Sequence, residues 1–361
     1  MIHPDLSGRR RFLAALASPL VPRLQKPLVA GPCCGPDTHP FGINYLSKYH
    51  RYETPDDILQ SDFARFREGG LNLVSLSLYW NHLEGPDPGV YHPEFLRNVS
   101  ACIARARKAG LQVLVTMHTL WGSDSRWCTP PYAVDPVTSS PRGLAIIHDS
   151  GVRQAFLDMY EWMVSTLAGT PGIWGYAMLN EPWYYPLTTA DREAFIGLIQ
   201  AQKAIHKRHT GQAPTTIRFI NHQTRGPINM FARDWRYDQR LLDCLDWVGL
   251  NCYPPSAYAW DRAAAFLAAN VRELRSRGKR VFMTEFGSKA KDDAAQAGDY
   301  RRLLATFRQT DGIRGWMSWD WLTEDWYGNL CNVWSSARTR PRPAYDVLLA
   351  NAPWEASTAP A

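Results

Sequence analysis

From Phe41 onward, short apolar runs alternate with segments whose apolar residues recur every three or four positions. FGINY (41–45) reads as a strand. Thr54 then stands as an N-cap with Pro55 at the first helical position, Ile58, Leu59, Phe63 and Phe66 share one face, and Gly69-Gly70 stop the helix. A second strand, LNLVSLSLYW, leads to a helix from Pro93 to Ala109 ended by Gly110, and LQVLVTMH is the third strand. A long loop bearing Trp121 follows, then a helix with Val152, Phe156, Met159, Met163 and Leu167 at helical spacing. IWGYAMLN is the fourth strand, with a helix over 189–209 behind it, and TTIRFINH the fifth, followed by a short weak helix near Arg240. LDWVGLNCY is the sixth strand. Asp261 caps the next helix, which runs through Phe266, Leu267, Val271 and Leu274 to Gly278. RVFMTEF, QAGDYRRLLATFRQ and RGWMSWDW give a seventh strand, a helix and an eighth strand, and a helix over 344–349 closes the series.

Eight strand–helix alternations predict a (β/α)8 TIM barrel, an α/β fold in one domain over residues 38–350. The rival is an open doubly wound sheet with a nucleotide near its first turn. Neither G-x-G-x-x-G nor a P-loop occurs, which weakens that rival. Residues 351–361 read as a disordered tail. Residues 1–37 stand apart: Arg9, Arg10 and Arg11 precede the short apolar run FLAALASPLV, an order like that of a twin-arginine export signal. The expectation is a secreted or periplasmic protein, or a cytoplasmic one if the leader is only a disordered basic segment. The run is too short to span a bilayer.

Composition changes the picture in one respect. Hydrophobic residues at 45% and charged residues at 20% are those of a soluble globular chain, but 15 Trp, 16 Tyr and 13 Phe in 361 residues are many. Several lie in loop-like sequence, among them Trp121, Trp183, Trp326 and Trp334, where a flat apolar face suits a sugar ring. The net charge of +6 is modest and no basic run interleaves with stacking aromatics, so nucleic acid is not an expected partner. Seven cysteines cannot all pair. Cys102 and Cys244 fall in helical patterns as small buried hydrophobes, and Cys128 and Cys331 could bridge if their loops meet. No Cys/His spacing implies a metal, and no cofactor is called for; a monomer is expected.

Barrel chemistry sits where strands end. Here they end in His118, in Asn180-Glu181, in Asn221-His222, in Asn251-Cys252-Tyr253, in Glu285 and in Trp319. Strict alternation in RVFMTEF sets Glu285 on one face with Val281 and Met283, and in strand four it sends Ala177 and Leu179 along the barrel interior. A carboxylate in a strand buried on both faces is costly unless it is bonded or opens to a cleft. Two glutamates facing each other across a barrel mouth suit acid/base and nucleophilic roles at one glycosidic bond.

LNEP ending strand four and TEFG ending strand seven make the chain resemble a retaining glycoside hydrolase of the large (β/α)8 clan, most like family 5, the cellulase and mannanase family. The resemblance runs from Phe41 to the end of the barrel. It implies that Glu181 is the general acid/base and Glu285 the nucleophile, that Asn180 bonds the sugar 2-hydroxyl and that Tyr253 orients the nucleophile. It further implies that His118 lines the site and Trp319 floors it; Trp121, His222 and Asn251 are further candidate carbohydrate contacts by their residue types and their places in loops and at strand ends. The family places an arginine on strand two, where this chain has Ser75, and a histidine where it has Asn251; His222 or Arg225 is the expected replacement for the arginine. The implied substrate is a β-linked glucan or mannan-type poly- or oligosaccharide. Alternatives are a non-catalytic carbohydrate-binding barrel, with the charge network broken at Ser75, and transfer to a sugar acceptor instead of water.

Overall fold

The computed structural model describes residues 39–45, 52–118, 129–137, 139–141, 144–182, 188–211, 213–220, 238–253, 260–288, 290–321, 333–334 and 340–352. The leader, the tail, Trp121, Cys128, Trp183, His222, Arg225, Trp326 and Cys331 lie outside them. Eight parallel strands close a barrel: β1 (Phe41–Tyr45), β2 (Leu73–Tyr79), β3 (Gln112–His118), β4 (Ile173–Asn180), β5 (Thr215–Ile220), β6 (Trp247–Cys252), β7 (Arg280–Phe286) and β8 (Ile313–Ser318). Each pairs with its chain neighbours, and β8 pairs with β1. The helices after them are α1 (Asp56–Glu68), α2 (Pro93–Lys108), α3 (Ser150–Leu167), α4 (Thr189–His209), the single turn α5 (Gln239–Leu242), α6 (Trp260–Ser276), α7 (Asp293–Gln309) and α8 (Pro343–Leu349). The predicted TIM barrel is therefore the fold. Among the described residues no helix is long and apolar enough to cross a membrane.

Boundaries differ from the pattern by up to three residues, as where β8 ends at Ser318 and α7 begins at Asp293. Pro55, not Thr54, takes the N-cap position of α1, and its carbonyl accepts from the Leu59 N–H at 3.1 Å. Trp80 leaves β2 and opens a one-turn helix, Trp80–Leu83. The cap expected at Asp261 is corrected, because α6 already begins at Trp260 and Asp261 lies in its first turn. Thr188 and Asp191 form a reciprocal capping box at the start of α4, and Asp149 and Asp292 accept from the first-turn amides of α3 and α7.

Two layers of apolar packing hold the barrel. Outward strand residues such as Val74, Leu76, Ile217, Phe219, Val281 and Met283 pack with the helices in the main core. A separate inner cluster, made only by strands, fills the lower barrel: Leu73, Leu114, Trp174, Ala177, Trp247, Phe282 and Met317. Trp174, Trp247 and Phe282 meet edge to face or tilted, with centroids 5.6–5.7 Å apart. Burying each large ring stabilises the fold by about 2–3 kcal/mol, and each aromatic contact adds about 1 kcal/mol. The inner cluster is a solid floor, so chemistry is confined to the mouth above it.

Candidate active site

Two strands deliver glutamates to the mouth, and both lose register just below it. Ala177 and Asn180 of β4 oppose Thr216 and Arg218 of β5, so three steps on β4 match two on β5. Met178 and Leu179 both join the outer core, and Asn180 turns inward. On β7, Met283 and Glu285 oppose Leu250 and Asn251, which leaves Thr284 as the extra residue. Phe282 lies in the inner cluster while Val281 and Met283 lie in the outer one. Strict alternation would have sent Glu285 outward with them. The expectation that Glu285 shares a face with Val281 and Met283 is corrected, as is the inward placing of Leu179. Extra residues of this kind re-aim side chains at barrel rims.

Glu285 is buried, and three side chains hold it. Its Oε1 accepts from the Tyr253 hydroxyl at 2.5 Å, and its Oε2 accepts from Arg218 Nη2 at 2.5 Å and Asn251 Nδ2 at 3.1 Å. Desolvation pushes the Glu285 carboxyl above the ordinary glutamate range, with the Arg218 guanidinium and the Tyr253 hydroxyl opposing it. A guanidinium does not give up its proton under working conditions, so a fixed positive charge stands beside Glu285.

Glu181 stands across from it in a different setting. Its backbone is left-handed, φ 44°, which for a non-glycine residue costs on the order of 1 kcal/mol. The Glu181 N–H donates to the Arg218 carbonyl at 2.8 Å and secures that conformation. Glu181 Oε1 accepts from Asn251 Nδ2 at 2.9 Å. Asn251 is itself oriented, its Oδ1 accepting from the Thr284 hydroxyl at 2.8 Å. The substitution of asparagine for histidine thus leaves a donor between the two glutamates.

The remaining predicted residues close around the pair. The Asn180 amide Nδ2 donates to His118 Nε2 at 2.5 Å, which makes that ring nitrogen the unprotonated one. The His118 ring lies nearly parallel to Trp319, at 16° with centroids 6.4 Å apart, and Tyr79 meets His118 edge-on at 5.1 Å. Trp319 packs against Tyr253, and its peptide bond to Asp320 is cis. Its carbonyl accepts from the Tyr300 hydroxyl at 3.1 Å, tying the end of β8 to α7. Glu181, Glu285, His118, Asn180, Tyr253, Asn251 and Trp319 are therefore brought together. Trp321 is plain packing: fully buried, it meets Phe66, Trp334 and Tyr345. Cys102, Cys244 and Cys252 are buried free thiols.

Arg218 is the functional residue that the motifs missed. It is fully buried on β5, and its guanidinium crosses the barrel to Glu285, Ser75 Oγ (3.4 Å), Thr116 Oγ1 (3.5 Å) and the Thr284 carbonyl (3.2 Å). A signal for it was present. TTIRFI is apolar or β-branched but for one arginine, and a guanidinium inside a buried parallel strand requires an acidic partner. The expected replacements for a strand-two arginine, His222 and Arg225, lie outside the described residues, and the cation beside Glu285 comes from within β5 instead.

The sequence profile of the cellulase family, glycosyl hydrolase family 5, matches residues 34–224. That span holds Glu181 and Arg218 but ends before Glu285. An exo-β-1,4-mannosidase from Opitutaceae bacterium strain TAV5 superposes with a TM-score of 0.68 at 15% identity, over 87% of this chain and 59% of that one. The chain thus spans under two thirds of that enzyme's length. A family 5 subfamily 18 variant from Streptomyces cattleya in complex with Manβ1-4GlcNAc gives 0.71 at 15% identity, over 88% and 82% of the two chains. An endo-β-1,4-mannanase from Thermotoga petrophila gives 0.66 at 14%, over 88% and 76%. These likenesses establish the fold. No curated protein matches the chain by sequence.

Proposed function

Since the chain belongs to glycoside hydrolase family 5, we propose that it cleaves β-linked mannan- or glucan-type poly- or oligosaccharides with retention of anomeric configuration. Glu285 is the nucleophile and Glu181 the acid/base. The observation that carries this reading is the Asn251 amide, which donates to Glu181 Oε1 at 2.9 Å and Glu285 Oε2 at 3.1 Å. Those two oxygens therefore lie no farther apart than about 6 Å, the two distances laid end to end, which places the facing carboxyls within reach of one anomeric centre. Retaining pairs stand at about 5–5.5 Å, whereas a pair that admits a water between them needs about 6.5 Å or more.

In the first step Glu285 attacks the anomeric carbon while Glu181 passes its proton to the departing glycosidic oxygen; the C–O bond breaks and a glycosyl ester forms. In the second, Glu181 takes a proton from water, the water oxygen bonds to the anomeric carbon, and Glu285 leaves as carboxylate. Oε1 of Glu285, with one donor against two on Oε2, is the freer oxygen for attack. Trp319 offers a sugar face, and Asn180 and His118 offer polar edges beside it. Mannose-configured substrates are favoured because β-1,4-mannosidase, β-1,4-mannanase and Manβ1-4GlcNAc appear among the structural neighbours.

The non-catalytic alternative rested on a charge network broken at Ser75, and the Arg218–Glu285 pair removes that motive. Proton NMR of the first-formed sugar from an aryl β-mannoside or β-glucoside should show the β-anomer. Formation of the α-anomer, or full activity in Glu285→Ala, defeats the reading. Release of reducing sugar from a panel of mannans and glucans identifies the glycan. Export remains part of the proposal, on the strength of Arg9–Arg11 and the apolar run behind them. A reporter joined to residues 1–38 that stays in the cytoplasm would remove it.

A further inference from the structure

We infer that Arg218, a residue of strand five, is the positioning residue for both glutamates, and that it does from β5 the work of a cation that Ser75 cannot supply from β2. The inference rests on the assignment of Glu285 as nucleophile. Two separate contacts carry it. The Arg218 carbonyl accepts from the Glu181 N–H at 2.8 Å, so its main chain fixes the start of the left-handed turn that presents the acid/base. Its side chain donates to Glu285 Oε2 at 2.5 Å, on the far side of the mouth.

The barrel interior is cleared for this crossing. Gly249 is the register partner of Arg218 on β6, and a Cβ there would lie 2.5 Å from Thr284 Cγ2, so glycine makes room for Thr284, whose carbonyl accepts from Arg218 Nη2. Ser75 and Thr116, on β2 and β3, are short, and their hydroxyls bond each other at 2.9 Å while facing Nη1 of Arg218. Below lies the apolar floor of Trp174, Trp247 and Phe282. A guanidinium above such a floor finds its direct ion-pair partner in Glu285. The geometry makes a prediction about exchange. The guanidinium end of Arg218 occupies space next to Ser75, so an arginine at 75 can enter that space only when residue 218 is shortened.

The test compares Arg218→Met, Arg218→Lys, Arg218→Ser and the double variant Ser75→Arg/Arg218→Ser, with folding checked by circular dichroism. Two readouts are taken: the pH dependence of kcat/KM on an aryl β-glycoside, and the ¹³C NMR titration of the Glu285 carboxyl, which needs no turnover. In Arg218→Met both acid transitions should move up by about one to three pH units, with kcat/KM reduced at least a hundredfold at neutral pH. Arg218→Lys should retain part of the transition, since it keeps the charge but loses the fork. The double variant should recover at least tenfold over Arg218→Ser. An unmoved Glu285 titration in a folded Arg218→Met overturns the inference, as does a double variant that folds yet recovers nothing. If the carboxyl titration moves but neither wild type nor variant turns over any glycoside, the functional reading fails while the positioning role stands.

Discussion

The ends of β4 and β7 present the same side chain in two different surroundings. Both reach the mouth through a register shift, and both glutamates accept from the one Asn251 amide. At β7, Glu285 also has a guanidinium and a phenol on it. At β4, Glu181 is set by its backbone, a left-handed residue held through its N–H. A carboxyl with a cation beside it suits the ionised role. On the proposed roles, environment rather than residue type divides acid from nucleophile.

Removing the β7 group breaks the comparison most. Glu285→Ala should lower kcat by about 10⁴-fold or more on any glycoside, as loss of a nucleophile does. Glu181→Gln should cost about 10²–10⁴-fold on natural linkages, and clearly less in the first step on an aryl glycoside whose leaving group needs no proton. Equal losses on both substrates would mean that the two ends are not chemically distinct. Tyr253→Phe removes one donor from Glu285 Oε1. It should cost about 10–100-fold and move the acid limb of kcat/KM upward, because a contact that lowers the Glu285 carboxyl is lost. In wild type that limb should already lie above the ordinary glutamate value of about 4.3, with activity falling as pH drops through it.

The smallest expected effect on activity, and the needed control, lies outside the mouth. His206 on α4 is buried, with Nε2 against the Tyr160 hydroxyl at 2.8 Å, and burial, helped by Lys203, pulls its imidazole down to about 3 from 6.5. Between those values the unfolded chain binds a proton that the folded protein excludes. Stability is therefore whole above about pH 6.5 and declines toward pH 3, by about 3–5 kcal/mol. Melting temperatures between pH 7 and 4.5 should fall less steeply in His206→Gln than in wild type, with kcat near neutral pH little changed. A wild-type acid limb that follows this melting curve would be unfolding rather than titration of Glu285.

Most of the architecture was legible because periodicity and strand ends are local. The alternation of FGINY, LNLVSLSLYW and their successors with amphipathic segments needs only neighbours in sequence to be read, and LNEP and TEFG are contiguous. Which residues face inward was harder. Ala177 was placed correctly and Leu179 was not, because an extra residue on β4 relative to β5 reverses the alternation above it. The same happens between Met283 and Glu285. Such shifts depend on the pairing of two strands and leave no mark on either strand alone. Trp321 is similar: its sequence suits a sugar platform or a core, and α1, α8 and Trp334 made it core.

The sequence by itself determined a barrel of eight strands, a glutamate at the end of the fourth and another at the end of the seventh, with Asn180, His118, Tyr253 and Trp319 at neighbouring ends. Strand periodicity and the position of strand ends were enough for that. Tertiary structure alone decided that Asn251 spans both carboxylates and that the cation missing at Ser75 is supplied by Arg218, 143 residues away in the chain. The reason is the closed barrel. It brings β2 and β5 within one side chain's reach across a cleared interior, and a charge buried there is stable only where the opposite charge is waiting.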